Sequence, residues 1–121
     1  MYAQVHNEKI VDFVKEKNKE TKYTVSNCTG AQLIGKSGIA KGHKIVIYIG
    51  GGKQLQKDYP NLKVQNDSLI TYVDDGKFSS SNENLTSYVS ALNLMQKMTS
   101  PEHKKFVESY LYLNRLQRWD K

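Results

Sequence analysis

Cys28 is the only cysteine in the 121-residue chain, and its neighbours make it the best candidate for a reactive centre. A short β-prone run, Tyr23-Thr-Val-Ser-Asn27, ends directly before it, and the small residues Thr29-Gly-Ala31 begin a predicted helix. A thiol at a helix N-terminus faces unpaired backbone N–H groups and the positive end of the helix dipole, which favour the thiolate. Because the thiolate is the nucleophilic form, this placement predicts a thiol that is suited to covalent chemistry or oxidation.

Two alternatives stay open at this point. Free cysteine is among the most frequently buried residue types, so Cys28 also fits an inert thiol in the core. The backbone N–H groups of Thr29 and Gly30 could stabilise an oxyanion beside the thiol, as residues after a nucleophile often do. Equally, Thr29 and Gly30 fit an ordinary helix start with a small residue for close packing.

The histidines and the run of three glycines do not form a recognisable metal or phosphate site. His6, His43 and His103 lack metal-ligand spacing, both with one another and with Cys28. The run Gly50-Gly-Gly52 lacks the Gly-Lys-Ser/Thr ending of a phosphate loop and is better explained as a strand-to-helix turn. The sequence therefore predicts neither a metal nor a cofactor.

The charge pattern does not favour a nucleic-acid partner. The chain has 18 basic and 12 acidic residues, a net charge of +6. However, the lysines are scattered among acids, and the only two arginines are Arg115 and Arg118. A solvated, lysine-rich surface explains the charge.

The sequence predicts a cytoplasmic protein that forms one domain over residues 1–121. No apolar run approaches the roughly 20 residues that a membrane span needs. The segment Met1-Tyr-Ala-Gln-Val-His6 has neither the basic nor the apolar region of a signal peptide. A single cysteine cannot form an internal disulfide, which fits a reducing compartment.

The hydrophobic periodicity predicts alternating helices and strands, the order of an α/β protein. Parallel pairing is expected at Tyr23–Asn27, and antiparallel pairing later, in a hairpin across Asn66-Asp67 and a turn at Asp74-Asp75-Gly76. The predicted helices cover Asn7–Glu20, Cys28–Ile39, Glu83–Met98 and a last segment from Ser100 to Trp119. The predicted strands cover Tyr23–Asn27, Lys44–Ile49, Leu62–Gln65 and Leu69–Val73.

Taken together, four segments resemble the DJ-1/PfpI superfamily, which is related to class I glutamine amidotransferases. Val25-Ser-Asn-Cys28-Thr29-Gly30-Ala31 looks like the family's nucleophile elbow, in which a strand, a cysteine in a strained turn and a helix follow one another. The remaining segments match the family in order and spacing: Lys36-Ser-Gly38-Ile-Ala-Lys-Gly42, Tyr59-Pro60 with Tyr72-Val73-Asp74-Asp75-Gly76, and Ser80-Ser81-Asn82.

The resemblance implies a flavodoxin-like three-layer sandwich with Cys28 at its topological switch point, and usually a dimer. The sequence is most similar to the C-terminal part of isonitrile hydratases and of the sensor domains of AraC-type regulators. An active member of this kind would be a cysteine-dependent hydratase, a glyoxalase-like lyase or an amidohydrolase.

The chain departs from the family in two places. Only one predicted helix, Asn7–Glu20, precedes the elbow, where the family has a further half-domain with the first parallel strands and an acidic residue that bonds the cysteine. An unpaired edge beside Tyr23–Asn27 must be covered or paired, so we expect a homo-oligomer or a complementary chain. Tyr48 stands where the family has a histidine, and His43 lies five residues earlier, roughly 16 Å away along an extended strand.

Three functions follow from these observations. Cys28 could attack a small electrophile such as an isonitrile, an α-oxoaldehyde or an amide, with Tyr48 as a hydrogen-bond donor, although Tyr48 equally fits a core position. Cys28 could instead sense oxidants or a small-molecule ligand without catalysis. The chain could also be a degenerate or split subunit that acts through assembly.

Overall fold

The computed structural model describes residues 2–111, which fold as a mixed α/β structure. The helices are α1 (Tyr2–Val5), α2 (Glu8–Glu20), α3 (Gly30–Ser37), α4 (Gly52–Asp58), α5 (Thr86–Met98) and α6 (Pro101–Tyr110). The strands are β1 (Thr24–Asn27), β2 (Lys44–Ile45), β3 (Lys63–Val64), β4 (Tyr72–Asp75) and β5 (Phe78–Ser81). The end of the predicted last helix, from residue 112 to Trp119, lies outside the described residues.

Local sequence signals set several helix boundaries. Asn7 caps α2, since its side-chain oxygen accepts the Lys9 backbone N–H at 3.0 Å. Ser100 accepts the His103 N–H at 3.1 Å, and Pro101 occupies the first position of α6. Gly38 ends α3 in the left-handed region, at φ 72°. The predicted starts of these two helices, at Asn7 and Ser100, are therefore confirmed.

The main sheet has the strand order β1-β5-β4. β1 pairs with β5 in parallel, with Thr24 opposite Phe78 and Asn27 opposite Ser81. β4 and β5 form an antiparallel hairpin whose turn is made by Gly76 and Lys77, with Gly76 at φ 70°. The expectation of parallel pairing near Tyr23 followed by antiparallel pairing is confirmed.

The predicted hairpin across Asn66-Asp67 is wrong. β3 pairs in parallel with β2, so Leu62–Gln65 is not the partner of Leu69–Val73. Asp67 instead accepts the backbone N–H groups of Gly50 and Gly52, which holds its segment against the glycine-rich loop. The chain does turn at Asn66, whose carbonyl accepts the Leu69 and Ile70 N–H groups, but the turn does not join two paired strands.

The predicted strand Lys44–Ile49 is shorter than expected, because only Lys44–Ile45 is paired. Val46 and Ile47 continue as buried, irregular backbone, and the Val46 N–H bonds to the Ser80 hydroxyl at 2.9 Å. A side-chain oxygen therefore replaces the ladder partner that the predicted strand would have at Val46.

The main sheet has helices on both faces. Gly30 of α3 lies over Ser26, while Lys97 of α5 contacts Asp74, whose register position is on the opposite face. The core lies on the α3 side of the sheet, between β5, β2, α3 and α4. It consists of Ala31, Ile34, Ala40, Ile45, Ile47, Leu55, Leu62 and Phe78.

Candidate functional site

Cys28 occupies a strained backbone position between β1 and α3. Its φ of 53° lies in the left-handed region, and it is the one non-glycine residue with positive φ among residues 2–111. The Cys28 N–H donates to the Ser81 carbonyl at 2.9 Å, which extends the β1–β5 pairing through the turn. The cysteine is half-buried, so the turn presents the thiol at the sheet end without enclosing it.

The α3 start places two backbone N–H groups next to the thiol in sequence. Thr29 makes no side-chain cap, and Gly30 is the first residue of the helix. N–H groups at these positions have no acceptor within the helix, so they are free to stabilise an anion. At Gly30, a Cβ atom would lie 3.5 Å from the Ser26 Cβ, an ordinary contact, so packing alone does not require glycine there.

Polar side chains join β1 and β5 where both strands end. The Ser81 hydroxyl donates to the Asn27 side-chain oxygen at 2.8 Å. Asn82 is fully buried and donates toward the Asp67 and Ile70 carbonyls at 3.3 and 3.4 Å. These contacts hold the segment that accepts the Cys28 N–H. In the sequence, only the family resemblance pointed to Ser81 and Asn82.

The structure places Tyr48 against the hydrophobic core. It is half-buried and packs on the core cluster, and a Cβ at Gly51 would lie 2.7 Å from Tyr48 Cζ. This close approach explains why position 51 is a glycine, since any side chain there would clash with the Tyr48 ring. The contacts therefore account for Tyr48 as a packing residue.

His43 contacts residues of β4 and β5. Its Nδ1 lies 3.3 Å from Asp75 Oδ2, and its ring centroid lies 4.7 Å from that of Phe78. Asp75 also accepts the Lys44 backbone N–H at 2.7 Å. That hydrogen bond, together with the neighbouring His43 ring, lowers the pKa of the Asp75 carboxyl below its usual value. This pairing explains how His43 is held in place.

A cleft of about 430 Å³ adjoins the residue that follows Cys28. Thr29 and Gln32 form its α3 wall, and burial together with the Asp58 charge raises the pKa of the Tyr59 phenol at its α4 end. Its lining residues are Tyr2, Val5, His6, Thr29, Gln32, Asp58 and Tyr59. The sequence reasoning did not identify this cleft, because the short helix α1 carries no distinctive pattern.

A larger cleft of about 730 Å³ lies elsewhere, between the glycine-rich loop and the segment around Asp67. It does not include Cys28, Thr29 or Gly30 in its lining. Since the strained cysteine is the chemically distinctive feature, we place the candidate site at Cys28 and not at this larger cleft.

Two further properties concern the part of the chain that the structure describes. Among residues 2–111, no three His, Cys, Asp or Glu side chains come together in a way that could hold a metal ion. Within the same range, no helix combines the length and the apolar character required to cross a membrane.

Comparison with solved structures identifies the fold. The chain is similar to Drosophila melanogaster DJ-1beta, with 22% identity and a TM-score of 0.77 over 91% of this chain and 56% of that one. For Schizosaccharomyces pombe DJ-1 the values are 19%, 0.72, 91% and 55%. For a ThiJ/PfpI family protein from Pseudomonas syringae they are 17%, 0.71, 89% and 44%. No family model and no curated protein matches the sequence.

These similarities confirm the predicted DJ-1/PfpI-like, flavodoxin-like α/β fold. The chain spans about half the length of the solved structures it matches and corresponds to the C-terminal part of their fold.

Proposed function

We propose that this chain is a DJ-1/PfpI-like protein of the reducing cytoplasm in which Cys28 is a reactive thiol at a small-molecule pocket. The observation that supports this best is the backbone of Cys28, a left-handed turn between a parallel strand and a helix. A strained, non-glycine residue at such a turn is typical of a nucleophile elbow.

The reaction that this geometry favours is addition of the thiolate to a small electrophile, such as an α-oxoaldehyde, an isonitrile or an amide. With an aldehyde, a C–S bond forms and the carbonyl π electrons move to oxygen. The N–H groups of Thr29 and Gly30 stabilise that oxyanion, which then takes a proton from water. Any further acid or base comes from Tyr48 or from a second chain.

The second candidate function is sensing of an oxidant or a metabolite without turnover. It is favoured by the contacts of His43 and Tyr48, since the former pairs with Asp75 and the latter packs on the core. The Cys28 thiolate would attack one peroxide to give a sulfenate and water, and a second peroxide would give the sulfinate and a second water.

Assembly is the third part of the proposal. The chain covers only 56% and 55% of the two DJ-1 structures, and β1 has a described strand neighbour only on its β5 side. We therefore propose that the chain works as a homo-oligomer or with a complementary α/β segment, because a parallel strand is normally paired or covered.

The test compares the wild type with Cys28→Ser in the presence of methylglyoxal, an α-oxoaldehyde, and in separate samples of hydrogen peroxide. We expect the wild type to consume methylglyoxal, or to gain the mass of two oxygens with peroxide, and Cys28→Ser to do neither. Turnover that is unchanged in Cys28→Ser would contradict the catalytic proposal. Absence of selective oxidation at Cys28 would contradict the sensing proposal.

The control moves the thiol to an ordinary environment. Ser68 is exposed in a turn that lines the larger cleft and not the cleft beside Thr29, so Cys28→Ser combined with Ser68→Cys carries one solvent-exposed thiol. If this double variant reacts as fast as the wild type, the reactivity belongs to any exposed thiol and not to the Cys28 turn.

A further inference from the structure

We propose that the cleft between α1, α3 and α4 binds the body of the molecule on which Cys28 acts, and that this molecule is a carbonyl electrophile with a hydroxylated aromatic ring. This assignment rests on the proposed function and deepens it, since it names the substrate class of the same site. The cleft and the chemistry of the thiol are tested separately below.

The cleft begins at the residue that follows Cys28, and its volume suits a whole small molecule. Thr29 lines its α3 wall, and the cleft measures about 430 Å³. Pockets that hold drug-sized ligands span about 300–1,000 Å³. An electrophile as small as methylglyoxal would leave most of this volume unfilled. A larger carbonyl compound fills it, with the reactive carbon at the Thr29 end and the remainder of the molecule in the cleft.

A stacked pair of aromatic rings forms the α1 wall. The ring centroids of Tyr2 and His6 lie 4.0 Å apart, with an interplanar angle of 29°. A carbonyl oxygen can only accept, so His6 Nδ1 donates to the Tyr2 carbonyl at 2.9 Å, and this bond orients the imidazole ring. Aromatic rings attract further rings in offset-stacked and edge-to-face arrangements. This wall therefore favours an aromatic ligand over an aliphatic one.

The short helix α1 is held in place, so the aromatic wall is formed before a ligand binds. Val5 is only 7% exposed, and α1 contacts both α2 and α3. The Tyr2 residue is 77% exposed, which leaves its ring accessible to a ligand. A wall that is already ordered reduces the entropic cost of binding.

The α4 end of the cleft suits a hydroxyl group. Burial together with the Asp58 charge raises the pKa of the Tyr59 phenol, which stays protonated and can donate a hydrogen bond. Asp58 supplies the acceptor, since Gln54 donates to its Oδ1 at 2.8 Å and a ligand can use Oδ2. A hydroxyl group on the ligand accepts from Tyr59 and donates to Asp58. The described lining residues include no lysine or arginine, so an anionic substituent would be repelled by Asp58.

The larger cleft does not offer the same combination of groups. Its described lining residues include no aromatic ring. The Asp67 carboxylate in that cleft already accepts the N–H groups of Gly50 and Gly52. An aromatic ligand is therefore expected at the cleft beside Thr29, and the larger cleft serves as an internal control.

The first experiment measures binding in the absence of a reaction. Cys28→Ala is titrated with acetone, acetophenone and para-hydroxyacetophenone, and the backbone amide shifts are followed by NMR. We expect shifts at Thr29 and Gln32, and an affinity about tenfold higher for para-hydroxyacetophenone than for acetone. Equal affinities for the three ketones, or shifts confined to the larger cleft around Asn66, would overturn the proposal.

Variants in the Cys28→Ala background test the two ends of the cleft. Tyr2→Ala should weaken the binding of both aromatic ketones about fivefold, whereas Tyr2→Phe keeps the ring and should retain it. Asp58→Asn should remove only the preference for the hydroxylated ketone, with Asp12→Asn as the control for one lost charge. Tyr2 and Asp58 are exposed, so these variants should keep the fold, which the remaining amide shifts check. Unchanged binding in Tyr2→Ala would contradict the aromatic wall.

The second experiment relates the cleft to the thiol. Iodoacetamide alkylates the wild type with and without para-hydroxyacetophenone at about ten times its Kd, where we expect alkylation of Cys28 to slow about tenfold because little free protein remains. The double variant Cys28→Ser with Ser68→Cys should be alkylated at the same rate in both samples. Binding that leaves the alkylation of Cys28 unchanged would place the ligand away from the thiol and overturn the proposal.

The outcomes separate this proposal from the proposed function. A protein that binds the aromatic ketone and is protected by it, but does not react with methylglyoxal or peroxide, would contradict the proposed chemistry and support the cleft. A protein whose Cys28 reacts with them, but which binds the three ketones equally, would support the chemistry and contradict the cleft.

Discussion

At the scale of single residues, the backbone of Cys28 carries the functional argument. A cysteine at φ 53° is energetically unfavourable compared with a glycine, by about 1–3 kcal/mol for residues in such regions. The Ser81 carbonyl and the start of α3 hold the residue there. The turn keeps this strained residue in place and leaves its thiol partly exposed.

Replacing Cys28 by Gly or Ala measures that strain. Both variants lose the thiol, but only glycine accepts positive φ without a Cβ clash. We expect Cys28→Gly to be more stable than Cys28→Ala by about 1 kcal/mol in urea unfolding. The control is Ser26, which lies in β1, where Ser26→Gly should be less stable than Ser26→Ala. If the alanine variant is more stable than the glycine variant at position 28 as well as at position 26, Cys28 is unstrained.

At the scale of elements, the contact between α3 and α4 fixes the cleft beside Cys28. A Cβ at Gly35 would lie 2.8 Å from Tyr59 Cγ, which leaves no room for a side chain. This close approach brings Tyr59 against α3 and lets it form one end of the cleft. Helix propensity alone would favour alanine at this position, so packing has outweighed propensity.

We expect Gly35→Ala to reduce the free energy of unfolding by about 2 kcal/mol, because the Tyr59 ring has to shift. Gly30→Ala is the control, since its new Cβ meets only the Ser26 Cβ at 3.5 Å. The measurement is thermal or urea denaturation. If Gly35→Ala is as stable as the wild type, the ring moves freely and the cleft is not rigid.

The elements themselves were predictable to different degrees. The caps at Asn7 and Ser100 and the strand that ends at Asn27 follow from local residue preferences, and the structure confirms them. The pairing of β3 with β2 does not, because it joins Lys44 to Lys63, which is 19 residues further along the chain. Contacts over such distances are invisible to local propensity.

At the scale of the whole molecule, the pair of His43 and Asp75 links the small β2–β3 sheet to the β4–β5 hairpin. The Asp75 carboxylate accepts the Lys44 N–H, and the His43 ring packs against the Phe78 ring at an angle of 55°. A carboxyl group with a lowered pKa stabilises the folded state above its ordinary value of 3.8. That contribution is lost as the pH falls through the pKa of the folded state.

Asp75→Asn tests this contribution. The amide oxygen can still accept the Lys44 N–H, but the charge is absent; because the side chain is 36% exposed and solvent screens its charge, we expect a loss of about 0.5 kcal/mol at pH 7. The difference from the wild type should shrink as the pH falls below about 4. Urea unfolding at several pH values measures it, with Asp12→Asn on exposed α2 as the control for one lost charge. A difference that is constant with pH would contradict the assignment.

The candidate site was predictable only in part. The position of Cys28 between a strand and a helix follows from its neighbours in sequence. Its φ, the Ser81 carbonyl that holds it and the packing of Tyr48 require β5 and the core to be in place. The roles of Cys28, Tyr48, Thr29 and Gly30 stay predictions, for which the reactivity experiments are the test.

The parallel pairing of β1 with β5 also bears on the order of folding. Asn27 and Ser81, which bond to each other, are 54 residues apart in the chain. Contacts of such large sequence separation form slowly, after local helices and turns. Until β5 docks, the Ser81 carbonyl cannot hold Cys28 in its strained conformation. The nascent chain would therefore lack the strained turn at Cys28, and the thiol that we propose to be reactive would reach that conformation only with the completed sheet.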